Sequence, residues 1–303
     1  MKVTLELTAE FRNRVALSLI AAGEGFEGTD IQFARKYGIN KAVYSRIKGG
    51  DLERVLSPQK WLAIGRALDV SPDERKWNKA DTDVFKVIRE EILFCKEFHK
   101  SMIFVDDCAI GKTYTARYLS RTVKNCFYVD CSQAKTRILF SKALARALGV
   151  DSAGTYSETK ENIKYYLNML TDPPLVILDE AGDVDRKTFQ DLKELWNATD
   201  GRCGWYMMGA DGLQRKIQEG IHNRTVAFRE LFSRFSDKFS FAVPKDREEK
   251  KAFYRKLITD VLRANMTDGA KMQEIVNRCM QVDMAAGEST GLRRAESLLI
   301  MYS

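Results

Sequence analysis

Histidine is scarce in this sequence and paired cysteines are missing. It holds two histidines, His99 and His222, and six cysteines, none of them arranged as C-x-x-C. A zinc site needs closely spaced ligands of these types, so zinc chemistry is excluded as the organising principle. The scattered cysteines read as reduced, mostly buried thiols, which fits a cytoplasmic chain. Long apolar runs are also missing. No segment approaches a membrane span in length, so no membrane partner is expected. The N-terminal stretch RNRVALSLIAAG superficially resembles a signal peptide, but Glu6 and Glu10 precede it and no small-residue cleavage pattern closes it. It reads as an amphipathic helix with Phe11, Val15 and Leu19 on one face. Internal repeats and low-complexity tracts are absent as well.

What is present is the composition of a soluble globular chain. Its 303 residues are 45% hydrophobic and 30% charged, enough for two or three domains with their own cores. The net charge of +7 suits a polyanionic partner, although proteins without such a partner often carry a similar excess.

The pattern divides the chain. Residues 1–70 read as short helices separated by glycine turns. Thr29 or Asp30 serves as the N-cap of one, and Ser57 followed by Pro58 opens another. A charged linker is expected over 71–83. From Val84 to about residue 244 a helix is followed by short apolar runs (MIFVD, CFYVD, LVILDE, GWYMMGA, KFSFAV) that alternate with helical segments. That alternation predicts an α/β fold, a parallel sheet with helices on both faces. Residues 245–303 read as helices only.

The stretch FVDDCAIGKTYTARYL, Phe104 to Leu119, ends in a G-K-T triplet. An apolar strand runs into it and a helix-forming run leaves it, which is the strand–loop–helix arrangement that holds phosphates. The cradle covers Asp107, Cys108, Ala109, Ile110, Gly111, Lys112, Thr113 and Tyr114. Lys112 would reach the β- and γ-phosphates of ATP, and the Thr113 hydroxyl would ligate Mg²⁺. Downstream, the continuous apolar run of PLVILDE fits a strand buried on both faces and ending in Asp179 and Glu180. Asp179 would hold Mg²⁺ and Glu180 would polarise the attacking water. The pattern G-x-x-x-x-G-K-[ST] asks for glycine where this chain has Asp106. A carboxylate near polyphosphate repels it unless it points outward, so weakened affinity and slow turnover are expected.

LVILDEAGDV, WYMMGAD, NRTVAFRELFSRFS and TGLRRAESLL together resemble the MuB-type AAA+ ATPases that assist DNA transposition. The IstB-like transposase helpers are more distant. The resemblance runs from about Val84 to Leu299 and is most specific over Asn223–Ser236. It implies an AAA+ P-loop core over 84–244, a helical lid over 245–303, and a small all-α helix-turn-helix domain in front. It also implies an arginine finger at Arg234, acting on ATP held by a neighbouring subunit, and a sensor-2 arginine at Arg293. Ala210 stands where the family places a small polar sensor residue. The implied partners are double-stranded DNA, a DDE-type transposase and further copies of the chain, stacked head to tail as a helical filament.

TDIQFARKYGINKAVYSRIKGG has the make-up of a helix-turn-helix. Its first helix would pack through Ile31, Phe33 and Ala34, with Ile39 plugging the core. Its second would present Asn40, Lys41, Tyr44, Ser45, Arg46 and Lys48 to DNA, with Val43 and Ile47 inward. A protein-docking module has the same pattern. Lys135 and Arg137, after the second strand, are candidates for sequence-independent phosphate contacts. Trp196, Trp205, Tyr165 and Tyr166 read as packing, and Lys245–Lys256 as the solvated face of a lid helix. The function this supports is an ATP-dependent DNA-binding protein that delivers target DNA to a transposase and disassembles on hydrolysis. The alternative is a DNA-binding regulator, or an initiator- or loader-type protein, whose ATPase domain serves mainly for oligomerisation.

Overall fold

A run of β-branched and large apolar residues four long, with no polar break, can be buried only if both of its faces are covered. Leu175–Leu178 is such a run, and with the Asp179 that ends it all five residues are buried. In the computed structural model of the protein, which describes residues 7–24, 26–68, 70, 77–266, 269–281 and 291–302, this segment, Leu175–Asp179, is β3. Its partners are β1 (Ser101–Val105), β2 (Cys126–Asp130), β4 (Gly204–Gly209) and the short β5 (Phe239–Ser240). The order is β2-β3-β4-β1-β5 and every pairing is parallel. Asp130 and Asp179 are in register at the ends of β2 and β3.

Helices cover both faces. α5 (Asp83–Phe98), α6 (Lys112–Thr122) and the lid helix α12 (Arg247–Asn265) contribute to one apolar layer with Phe104, Ile177 and Tyr206. α7 (Arg137–Leu148), α8 (Tyr156–Met169), α9 (Arg186–Ala198), α10 (Asp211–His222) and α11 (Phe228–Arg234) contribute to the other, with Val176, Leu178 and Trp205. The lid continues as α13 (Met272–Met280) and α14 (Gly291–Tyr302), which close a small core with α12 around Ile258, Ile275 and Ala295. Tyr166 is buried as expected, but Tyr165 is 71% exposed and is not packing.

Residues 7–70 build a separate helical core from α1 (Ala9–Glu24), α2 (Asp30–Lys36), α3 (Lys41–Lys48) and α4 (Pro58–Ala67). Phe11, Val15 and Leu19 face inward from α1 as the periodicity requires. Thr29 is the N-cap of α2, with Gln32 returning the capping box, and Ser57 caps α4. Two expectations need correction. Ile31 lies on the outer side of α2. Tyr44, expected on the DNA-facing side of α3, is buried, its ring 5.0 Å from that of Phe33. The inward positions of α3 are Tyr44 and Ile47, three apart, with Val43 at their edge. Lys41, Ser45, Arg46 and Lys48 are exposed, and Asn40 caps the helix through Val43 N–H. This unit rests on the strand layer through Glu27, which accepts from Asn125 Nδ2 at 2.7 Å and pairs with Lys124 at 3.1 Å. Of the expected linker, 71–76 lie outside the described residues.

Arg137 also departs from expectation. Its guanidinium is held by Asp191, with Nη2 at 2.6 Å and Nε at 3.1 Å, so it ties α7 to α9 and is not free for a phosphate. Asp191 is buried and also accepts from the Tyr156 hydroxyl and faces Lys160, which pairs in turn with Glu194. Removing one member of a buried pair leaves the other charge uncompensated. Asp191→Ala is therefore expected to lower stability by about 3 kcal/mol in urea denaturation; a change under about 0.5 kcal/mol, the size typical of a surface substitution, would contradict that assignment.

Candidate nucleotide-binding site

The loop after β1 begins at Asp106, whose backbone N–H still bonds Gly209 at 3.3 Å. Two residues then take left-handed backbone, Ala109 with φ 58° and Gly111 with φ 101°. The second turn requires glycine in practice, since a side chain at that φ is strained. α6 starts immediately after, at Lys112, so the loop leads directly into a helix N-terminus, the element that binds anions. Lys112 is buried, and its ammonium donates to the carbonyls of Asp106 at 2.7 Å and Asp107 at 2.6 Å. Burial lowers its pKa, against the pull of nearby acidic groups including Asp106, Glu180 and Asp179.

A pocket of about 380 Å³ opens over this loop. Cys108 to Tyr114 and Glu180 line it, together with Leu292, Arg293 and Glu296 of α14. Trp77, Asn78, Ala80, Thr82 and Phe85 line it as well. The sequence offered no signal for these last residues, because they fall in a segment read as a charged linker and the helix after it. In fact Asn78 is stapled to the lid, its N–H donating to Asn265 Oδ1 at 2.7 Å and its Nδ2 to the Ala264 carbonyl at 2.9 Å. A lining that combines Trp77 and Phe85 with Lys112 and Arg293 offers both apolar surface for a flat base and cationic groups for phosphates.

At the ends of the strands, Asp179 is buried and accepts from the Tyr128 hydroxyl at 2.9 Å and from Glu180 N–H at 3.1 Å. Tyr128 is a second residue that the sequence reading missed. Glu180 follows with φ 51° and exposes its carboxylate to the pocket. Burial, and then the neighbouring Asp179 charge, push its pKa up, while Lys112 pulls it back. The loop beyond is fixed by Lys216, which donates to the Gly182 carbonyl and to the Val184 carbonyl at 2.8 Å. The Thr113 hydroxyl and the Asp179 carboxylate supply only oxygen donors, the ligand type that Mg²⁺ takes.

Asp106 turns away from the phosphate cradle. Its Oδ2 accepts from the N–H groups of Ala242 at 2.6 Å and Val243 at 3.0 Å, and its Oδ1 from Asp107 N–H at 2.8 Å. Burial raises its pKa against those three donors. Asp107 also leaves the cradle, pairing with Lys250 at 2.6 Å and accepting from the Tyr254 hydroxyl at 2.8 Å. Against burial, those partners hold its carboxyl below the ordinary range. Lys250 belongs to the run read as a solvated face.

The remaining expected residues lie outside the pocket. Arg234 ends α11, donates to Asn197 Oδ1 at 2.8 Å and the Glu230 carbonyl at 2.9 Å, and lies 5.2 Å from the Trp196 ring. No carboxylate among the described residues pairs with it. Ala210 precedes α10 without capping it. Lys135 is exposed and pairs with Asp183 at 3.3 Å.

Strand, phosphate loop, helix and acidic strand end, with a helical lid above, define the AAA+ P-loop NTPase fold. Residues 100–217 match a family model described as an AAA domain. Among solved structures the chain is similar to the Aeropyrum pernix Orc1 protein in complex with DNA, with a TM-score of 0.54 and 16% identity, covering 75% of this chain and 60% of that one. It is also similar to Cdc6p from Pyrobaculum aerophilum, with a TM-score of 0.52 and 13% identity, covering 76% of this chain and 63% of that one. The chain thus spans less than two thirds of either structure, and identities this low establish the shared fold. Comparison with curated proteins gave no match.

The left-handed Ala109 gives a direct check on the loop geometry. Ala109→Gly should relieve its backbone strain and raise stability by about 1 kcal/mol in urea denaturation. A loss of stability would contradict the positive φ.

Proposed function

We propose that the protein is an ATP-hydrolysing, DNA-binding AAA+ protein of the MuB type. ATP assembles its subunits head to tail on duplex DNA, the assembly presents that DNA to a DDE-type transposase, and hydrolysis takes it apart. The observation that carries the ATPase reading is the convergence of Lys112, Thr113, Glu180 and Arg293 on one pocket that Trp77 and Phe85 also line.

The chain's own groups have distinct tasks in this reading. The loop N–H groups and Lys112 hold the phosphates, and Arg293 reaches them from the lid. Glu180 in its charged form orients the attacking water and accepts its proton. Thr113 and Asp179 would hold Mg²⁺, which would supply charge neutralisation on the phosphates when bound. Arg234 lies outside the pocket of its own subunit and keeps a guanidinium without a carboxylate partner among the described residues, as a finger offered to a neighbour requires. Trp196 beneath it and Asn197 beside it restrain its orientation.

DNA contact falls to Lys41, Arg46 and Lys48 on the exposed side of α3, and to Lys135. The last three are in exposed ion pairs with Asp51, Asp30 and Asp183 respectively, which are weak enough for a phosphate to displace. That Orc1 was solved in complex with DNA supports DNA as the partner class. It equally supports an initiator-type role, which shares the ATPase cycle and differs in what the assembly recruits.

Three measurements test the proposal. Duplex DNA should stimulate ATP hydrolysis, and Glu180→Gln should lower turnover by about 100-fold or more while nucleotide binding persists. The raised Glu180 pKa places the acid limb of the pH–rate profile above the ordinary glutamate value of about 4.3, with activity lost as pH falls through it. Electron microscopy with ATP and random-sequence duplex should show continuous protein-coated filaments. Absence of nucleotide-dependent assembly on DNA would refute the reading, and compact particles confined to single sites would favour the initiator role.

A further inference from the structure

The carboxylate at position 106 occupies the place where the phosphate-loop pattern asks for glycine, and every bond it makes runs away from the phosphates. Ala242 and Val243, whose N–H groups it accepts, lie between the end of β5 and the start of α12. They belong to the segment that carries the chain from the sheet into the lid. The next residue, Asp107, grips α12 itself at Lys250 and Tyr254, four residues apart on one helix face. A third contact comes from the same loop, where the Ala109 carbonyl accepts from Leu292 N–H at 2.9 Å, at the start of α14. Gly291 makes that approach possible, because a Cβ there would stand 2.9 Å from the Ala109 oxygen. The loop thus holds both lid helices that border the pocket.

The contacts also bear on Lys112. An ammonium has three donors, and two of them go to the carbonyls of Asp106 and Asp107. Where these two residues sit fixes where the third donor points. One pair of residues therefore sets both the lysine below the pocket and the lid above it.

We propose that Asp106 and Asp107 form a latch between phosphate loop and lid, acting as positioning residues that hold Lys112 and Arg293 on opposite sides of one nucleotide. The inference rests on the reading of the pocket as an ATP site, and it assigns to Asp106 a sign opposite to that of a carboxylate that merely repels phosphate. Restoring the glycine of the common pattern should make this enzyme worse. Without Asp106 the N–H groups of Ala242 and Val243 lose their acceptor and the lid loses its fixed entry angle.

The test uses the full chain as wild type, Asp106→Gly, Asp106→Asn and Asp107→Asn. Amide hydrogen exchange is followed without nucleotide, and KM and kcat are measured with Mg·ATP. Asp106→Gly should speed exchange over 242–265 by about tenfold or more while β3 and β4 keep wild-type protection. It should raise KM for ATP by about tenfold, with a smaller fall in kcat. Asp106→Asn, which keeps an acceptor oxygen, should recover most of both effects. Asp107→Asn, which weakens only the contact to α12, should loosen the lid in the same direction and carries the test if the glycine variant does not fold. Three results would overturn the latch: unchanged lid exchange, exchange accelerated equally across the sheet, or a KM that falls in Asp106→Gly. If wild type binds no nucleotide, the ATP reading fails, and the exchange data alone still decide whether the two carboxylates hold the lid.

Discussion

A buried carboxylate must be hydrogen-bonded or neutralised, and the site is arranged around one. Asp106 is 6% exposed and accepts from three backbone N–H groups. Leaving such donors buried without an acceptor costs roughly 1–3 kcal/mol each. The strand end, the first turn of the phosphate loop and the chain entering the lid are therefore held in one arrangement. The direction of the Asp106 side chain follows from that requirement. With its oxygens committed to Ala242, Val243 and Asp107, the carboxylate takes no part in the lining of the pocket.

The parallel sheet supplies the other half of the site. Strands buried on both faces must end in a crevice where the loops diverge, and Asp179 and Glu180 stand at that edge. They differ in environment within one residue. Asp179 is enclosed and hydrogen-bonded by Tyr128, while Glu180 is turned outward by its left-handed backbone. One is suited to holding a cation's coordination shell and the other to handling a proton. Arg234 and Trp196 lie outside this pocket, and Arg234 is the residue that the proposed function offers to a neighbouring copy.

Much of this was legible in the sequence, for reasons that can be named. Uninterrupted apolar runs such as LVIL fit doubly covered strands, and Ser57–Pro58 and Thr29–Gln32 are local signals that need no tertiary context. The residues from Cys108 to Tyr114, with Glu180 and Arg293, were singled out by motif and resemblance, and they line one pocket. The failures share a cause. Tyr44 and Val43 are adjacent positions at the boundary of one helix face, and a 100° step cannot say which of them turns inward. Arg137 was read from its charge, but its role is set by Asp191, fifty-four residues away. Asp106, Asp107 and Lys250 meet only after the sheet has brought β1 and β5 side by side. Asn78, which lines the pocket beside Trp77, bonds to α12 residues that lie far away in sequence. Side-chain partners of high sequence separation were not encoded in any local pattern.

The central claim is that Phe104 to Leu119 is a working phosphate cradle despite its aspartate. Calorimetric titration of Mg²⁺ with a non-hydrolysable ATP analogue into wild type and Lys112→Ala tests it most directly. The account predicts saturable one-to-one binding to wild type and a Kd raised by about tenfold to 100-fold in the variant, the loss expected for one buried charge-assisted contact. Equal affinity in the two proteins, or no binding to wild type at millimolar analogue, would contradict it.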